Sequence, residues 1–219
     1  MATTVESNSR LSQKDIDILR KLAERKAAIA QDSVNLERKK AWYALDSGKS
    51  DRVMVLAEHQ GVRDKILPIS KDILECSDKW ARNIEWQIRN ELYRFDVLKD
   101  DHVIEPFVST GWKVEASGYG VEIVMHHGGD ENQMGSRRWD APIKDLDKDF
   151  CKLRPRSFKV DRESGLAEKA RLEAIFDGIL PVRCRSKYYW TMGMTWTAIE
   201  LIGLESLMLV MYDNPDGLH

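Results

Sequence analysis

Ile179-Leu180-Pro181-Val182-Arg183-Cys184-Arg185 is the stretch on which the fold turns. It is a short aliphatic run with its proline at the entry, where a strand can spare a backbone donor. A helical pattern from about Arg162 to Phe176 precedes it and stops at Asp177-Gly178, a pair suited to a left-handed cap. Trp196 to Ile202 begins a helix after it, and Tyr212-Asp213-Asn214-Pro215-Asp216 launches a further element. Helix, strand and helix in succession are the alternation of a parallel α/β sheet.

Two more strands are expected upstream. Arg52-Val53-Met54-Val55-Leu56-Ala57 is continuously apolar after its arginine, as in a parallel strand covered on both faces, and His102-Val103-Ile104-Glu105-Pro106-Phe107-Val108 is the second. Between them a long helix starts at Asp78 and carries Trp80, Ile84, Ile88, Leu92 and Phe95 on one stripe and Trp86, Tyr93 and Val97 on another. The interval from Thr110 to about Lys159 exceeds a simple connection. Within it Gly118–Met125 alternates like a half-exposed strand, Gly128-Gly129-Asp130 turns, and Gly135–Trp139 returns, which makes a β-hairpin excursion. Ahead of all this, one helix opens at Ser12 and a second follows Ser33 and ends at Asp46-Ser47-Gly48. Residues 1–50 therefore form a helical extension and residues 51–219 the main domain.

Composition bounds the function. Lys+Arg 34 against Asp+Glu 36 leaves a formal net charge of -2, so no basic field recruits nucleic acid or an acidic membrane surface. Cys76, Cys151 and Cys184 are odd in number and lack a C-x-x-C spacing, which fits a reducing cytoplasm rather than a disulfide framework. No signal-peptide pattern opens the chain, and no apolar run approaches the roughly 18 residues of a membrane span.

Six segments, Asn83–Arg89, Val103-Ile104-Glu105-Pro106, Gly118–Ile123, Ala141–Leu146, Ile179–Arg183 and Met211–Pro215, occur in an order that resembles the uroporphyrinogen decarboxylase-like superfamily, in particular its divergent members from anaerobes. The resemblance implies a (β/α)8 barrel behind a helical extension. A typical barrel needs about 250 residues, so it also implies that this chain holds the N-terminal part, with a truncation or a complementary half-barrel chain. Tetrapyrrole decarboxylases of the family carry an Arg-Gln-Ala-Gly-Arg type motif after the first strand. Here that position reads Leu56-Ala57-Glu58-His59-Gln60-Gly61-Val62-Arg63, and Glu58 would repel an acid-rich substrate. The resemblance thus points to a corrinoid-dependent methyltransferase before a tetrapyrrole decarboxylase. The implied cofactors are zinc, held by residues outside this chain, and a corrinoid carried by a partner protein.

Barrel chemistry sits at the C-terminal ends of the strands. Glu58 and His59 after the first strand and Glu105 at the second are the candidate catalytic groups, and Arg183 and Arg185 at the third are candidate substrate ligands. Alternation places Arg183, Arg185 and Lys187 on one face, opposite Val182 and Cys184. Glu58 and Glu105 with the arginines read either as a substrate-binding rim or as a structural ion-pair network. Tyr188, Tyr189 and Trp190 follow the strand and add aromatic surface for a small-molecule substrate. His126-His127 with the Gly128-Gly129-Asp130 turn reads as a hairpin tip, and neighbours on a strand point apart, so no metal site is assigned.

Overall fold

The computed structural model describes residues 11–57, 73–127, 137–186 and 193–219. In chain order its elements are α1 (Gln13–Ala30), α2 (Ser33–Asp46), α3 (Lys79–Tyr93), β1 (Val108–Thr110), β2 (Lys113–Ala116), β3 (Val124–His127) and β4 (Arg137–Asp140). There follow α4 (Leu146–Asp149), β5 (Phe158–Asp161), α5 (Arg162–Phe176), β6 (Val182–Cys184), α6 (Met194–Ile202), α7 (Leu204–Asp213) and α8 (Pro215–Leu218). The class is mixed α/β, and the six strands form three two-stranded sheets. Two compact units result, Met1–Thr110 with Leu166–Arg185, and Gly111–Gly165 with Ser186–His219.

The first unit takes in both the helical extension and the parallel strands. Ser12 caps α1 by accepting the Asp15 N–H, Asp32 rather than Ser33 caps α2, and Asp78 caps α3 by accepting the Ala81 N–H. Gly48 closes α2 with φ of 68°, a conformation glycine reaches without the Cβ clash. The core joins Leu19, Ala23 and Ile29 of α1 to Ala81, Ile84, Ile88 and Leu92 of α3, and continues through Ile104, Val108, Leu172, Phe176 and Val182. Burying such side chains stabilises by about 1.5–3 kcal/mol each. The last turn of the α3 pattern departs from the expected α-helix. Arg94–Leu98 winds as a π-helix and ends at Lys99, whose φ is 52°, so Val97 is left 58% exposed instead of forming a second buried stripe.

β1 and β6 pair in parallel, with Val108 opposite Val182, Ser109 opposite Arg183 and Thr110 opposite Cys184. The expected third strand is present as β6, entered from α5 across Gly178, but of the expected second strand, residues 102–108, only Val108 joins the ladder, which continues to Ser109 and Thr110. The ladder is shorter than the apolar runs, because it begins only at Val108.

The expected first strand does not form one. Val53 is 80% exposed and Val55 59%, and among the described residues no ladder reaches the segment. Its backbone polar groups are met by an acidic pair instead. Asp101 accepts the Val55 N–H at 2.8 Å and Asp100 the Ala57 N–H at 3.0 Å, while the Asp101 N–H donates to the Val55 carbonyl at 2.8 Å. An apolar run specifies burial, but a strand also needs a neighbour to hydrogen-bond.

In the second unit an antiparallel pair, β3 and β4, stands where the hairpin was expected, with His126 opposite Arg138, but its first strand runs from Val124 to His127 and not from Gly118 to Met125. β2 and β5 form another antiparallel pair that the sequence reading did not contain. A small core gathers Ile143, Leu201, Ile202 and Leu207. Trp139 packs on α6, its ring 6.2 Å from that of Trp196. α6 and α7 are both apolar but turn through 102° at Gly203, and no single described helix is long and apolar enough to cross a membrane.

Candidate functional site

Two groups of side chains in the first unit bear on function, one at each end of β1. At the far end of the parallel pair, β6 alternates as expected. Val182 is buried, Arg183 exposed and Cys184 half-buried, and Arg185 beyond it is exposed. The Arg185 N–H extends the ladder by donating to the Thr110 carbonyl at 2.9 Å. Both guanidinium groups rest over Phe107, with Cζ 4.4 Å (Arg183) and 5.5 Å (Arg185) from its ring centroid. Phe107 itself is 5% exposed. Cation–π contact holds two positive groups side by side without neutralising them. Among the described residues neither arginine meets a carboxylate.

Glu105 does not join that pair, contrary to the expected cluster at the barrel mouth. It lies three residues ahead of β1, and its carboxylate is 3.6 Å from Lys39 Nζ of α2. The reason is local. Asn35 of α2 donates from Nδ2 to the Ile104 carbonyl at 2.9 Å and accepts the Ile104 N–H at Oδ1 at 2.8 Å, taking the hydrogen bonds a strand neighbour would have taken. Residues 102–105 are therefore bound to the helical extension, and Glu105 faces α2.

Glu105 borders a cavity of about 410 Å³ lined by Lys39, Trp42, Tyr43, Leu56, His102 and Val103. Trp42 is fixed there by donation from Nε1 to the Asp101 carbonyl at 2.7 Å. His102 is held below the usual histidine range by its burial and by the positive charge of Arg94, Lys26 and Arg38, against the opposing pull of Asp100. Asp100 is 8% exposed. Burial pushes its pKa up, and hydrogen bonds from Arg94 at 2.6 Å and from the Ala57 and His102 amides more than reverse that. Asp101 receives Arg52 through two bonds of 2.9 and 2.6 Å, which with the Val55 amide hold it down to about 2.

A third polar group is structural. Glu85 is fully buried and accepts the Glu75 and Cys76 N–H groups, both at 2.9 Å, and Arg89 Nε at 2.7 Å. Arg89 also pairs with Glu75. Asp15 accepts the Ser77 N–H at 2.8 Å and the Ser77 hydroxyl, joining α1 to the turn before α3. Cys76, packed beside them, is pushed up to about 12 by burial and by Glu85, so its thiol stays protonated.

Glu58, His59, Tyr188, Tyr189 and Trp190, expected at the site, lie outside the described residues, as does Lys187. Asn35, Asp100 and His102 are the functional-looking residues that sequence reading passed over. Asp100-Asp101 lies in sequence between the expected helix and the expected second strand, and nothing in its spacing announces Arg52 and Arg94 as partners. Among the described residues no three His, Cys, Asp or Glu side chains are grouped to hold a metal ion. Compared with family models, curated proteins and solved structures, the chain matches none, and its functional reading rests on the residues themselves.

Proposed function

We propose that this chain is the N-terminal portion of a uroporphyrinogen decarboxylase-like barrel enzyme of the corrinoid-dependent methyltransferase kind, in which Arg183 and Arg185 receive the anionic end of a small-molecule substrate. The observation that supports it best is the parallel pairing of Val108–Thr110 with Val182–Cys184, entered from α5, with two arginines at the C-terminal end of β6 that meet no carboxylate among the described residues. That end of a parallel strand is where barrel enzymes bind their substrates. The zinc that such methyltransferases use finds no ligand set among the described residues, so the part assigned to this chain is anion binding and orientation.

The test is native mass spectrometry of the chain with a complementary C-terminal barrel segment and a corrinoid protein, followed by methyl transfer by the assembled complex. The expected result is a stoichiometric complex whose substrate KM rises about tenfold or more in Arg183→Ala and Arg185→Ala. A lone monomer that ignores both partners, or transfer indifferent to both arginines, overturns the proposal.

A second reading is a non-catalytic chain that docks a complementary one. It is favoured by α7, which leaves Leu204, Met208, Leu209, Met211 and Tyr212 between 56% and 89% exposed, an apolar face of the kind that marks interaction surfaces. A complex without transfer would select it.

A further inference from the structure

We infer that the cavity between α2 and residues 102–105 is a second ligand site, built for a planar aromatic carboxylate. It lies ahead of β1, at the opposite end of that strand from the arginine pair, and is independent of the methyltransferase reading. Its volume of about 410 Å³ falls within the range of about 300–1,000 Å³ that suits small organic ligands.

Lys39, Trp42 and Tyr43 stand at spacings of three and four on α2, and so present one face to the cavity. Trp42 is a rigid wall, because its indole N–H is already engaged by the Asp101 carbonyl. Tyr43 is 67% exposed beside it and Leu56 is 44% exposed. An aromatic and an aliphatic side chain are thus left in water around a concave surface, where a flat ring would cover both.

The charge around the cavity selects the sign of the ligand. Lys39 is only loosely held by Glu105 at 3.6 Å, and both side chains are about two-fifths exposed. That is a weak exposed pair which a bound carboxylate can displace at little cost. Arg94, Lys26 and Arg38 all act by their charge on His102, which lines the cavity. Arg94 is answered by Asp100 and Lys26 by Glu91. Arg38 is 8% exposed and stacks on Phe95, with its Nη1 lacking a hydrogen-bond acceptor among the described residues. Among the described residues Arg38 is answered only at range, by Asp101, and Lys39 only loosely, by Glu105, which favours an anion, and the His102 ring adds a hydrogen-bonding group.

The probe is 2-naphthoate, titrated into the whole chain by calorimetry, with 2-naphthylmethylammonium as the charge-reversed control. The expected result is saturable binding of 2-naphthoate, weakened about fivefold or more in Tyr43→Ala and in Lys39→Gln, with the cation binding at least fivefold more weakly. Tyr43 and Lys39 are exposed enough that both variants keep the fold, which an unchanged urea midpoint verifies. Arg183→Ala should leave naphthoate binding intact, so this site and the proposed substrate site fail separately. Absence of binding, binding unchanged in both α2 variants, preference for the cation, or loss in Arg183→Ala alone overturns the assignment.

Discussion

Replacing Glu85 by glutamine changes one oxygen for an NH2 group in a fully buried side chain that now accepts three hydrogen bonds. Glutamine keeps one acceptor and turns a donor toward a second donor, either a backbone amide of Glu75 or Cys76 or the Arg89 guanidinium. One charge-assisted bond is lost, worth about 1.5–3 kcal/mol, and one buried N–H is left unsatisfied at a cost of about 1–3 kcal/mol. Arg89 retains Glu75, which limits the damage. A net loss of about 3 kcal/mol is expected, read as a lower urea midpoint with unchanged slope. The pH dependence supplies a second readout. Burial raises the Glu85 pKa, but its amide and Arg89 bonds bring the folded value below the ordinary 4.5. Its contribution is therefore full above pH 4.5 and disappears as pH falls through the folded value. Glu85→Gln should remove that part of the acid destabilisation and speed amide exchange at Glu75 or Cys76. A loss below about 1 kcal/mol with an unaltered acid slope would refute the account.

Asn35→Ala strips both bonds from the buried Ile104 backbone and should cost about 2–4 kcal/mol in urea unfolding; a loss under 1 kcal/mol would mean that water replaces the amide. Gly165→Ala normally stabilises a helix by up to about 1 kcal/mol, but here a Cβ would lie 2.7 Å from Trp112 Cε3. The sign should reverse, to a loss of about 1–3 kcal/mol, and a higher thermal midpoint would contradict it. For His102, whose folded pKa lies below the ordinary 6.5, the unfolded chain binds the proton first. Stability should then fall as pH is lowered from 6.5 toward the folded value, and His102→Asn should flatten the urea midpoint between pH 7.5 and 5.5; an equal slope in the variant would place the titration elsewhere.

Where periodicity and caps carried the signal, the sequence was a good guide. Ser12, Asp78, Gly48 and Gly178 mark helix ends through chemistry confined to one turn, and the return strand of the hairpin, at Arg137–Asp140, lies close to its expected place. The strand at Val182 was also legible as an apolar run, whereas the run at residues 102–108 meets its parallel neighbour only at Val108. What could not be read was the identity of hydrogen-bond partners far along the chain. Arg52–Ala57 looks like a strand, and only three-dimensional placement shows that Asp100 and Asp101 occupy its backbone. The site suffered similarly. Arg183 and Arg185 were visible from alternation, but Glu105 was misplaced, because Asn35 intercepts the strand at Ile104.

The fastening of residues 53–57 has a consequence for how the protein responds to its surroundings. A β-ladder is nearly indifferent to ionic strength, but this seam is anchored by carboxylates whose orientation is held by Arg52 and Arg94. Arg52 is 48% exposed, so concentrated electrolyte, at about 1 M where the Debye length falls to about 3 Å, weakens its grip. Acid acts on the same carboxylates, reaching Asp101 only near its value of about 2. The chain thus has an edge that loosens by brine before it loosens by proton, and the exchange rate of the Val55 amide is its gauge.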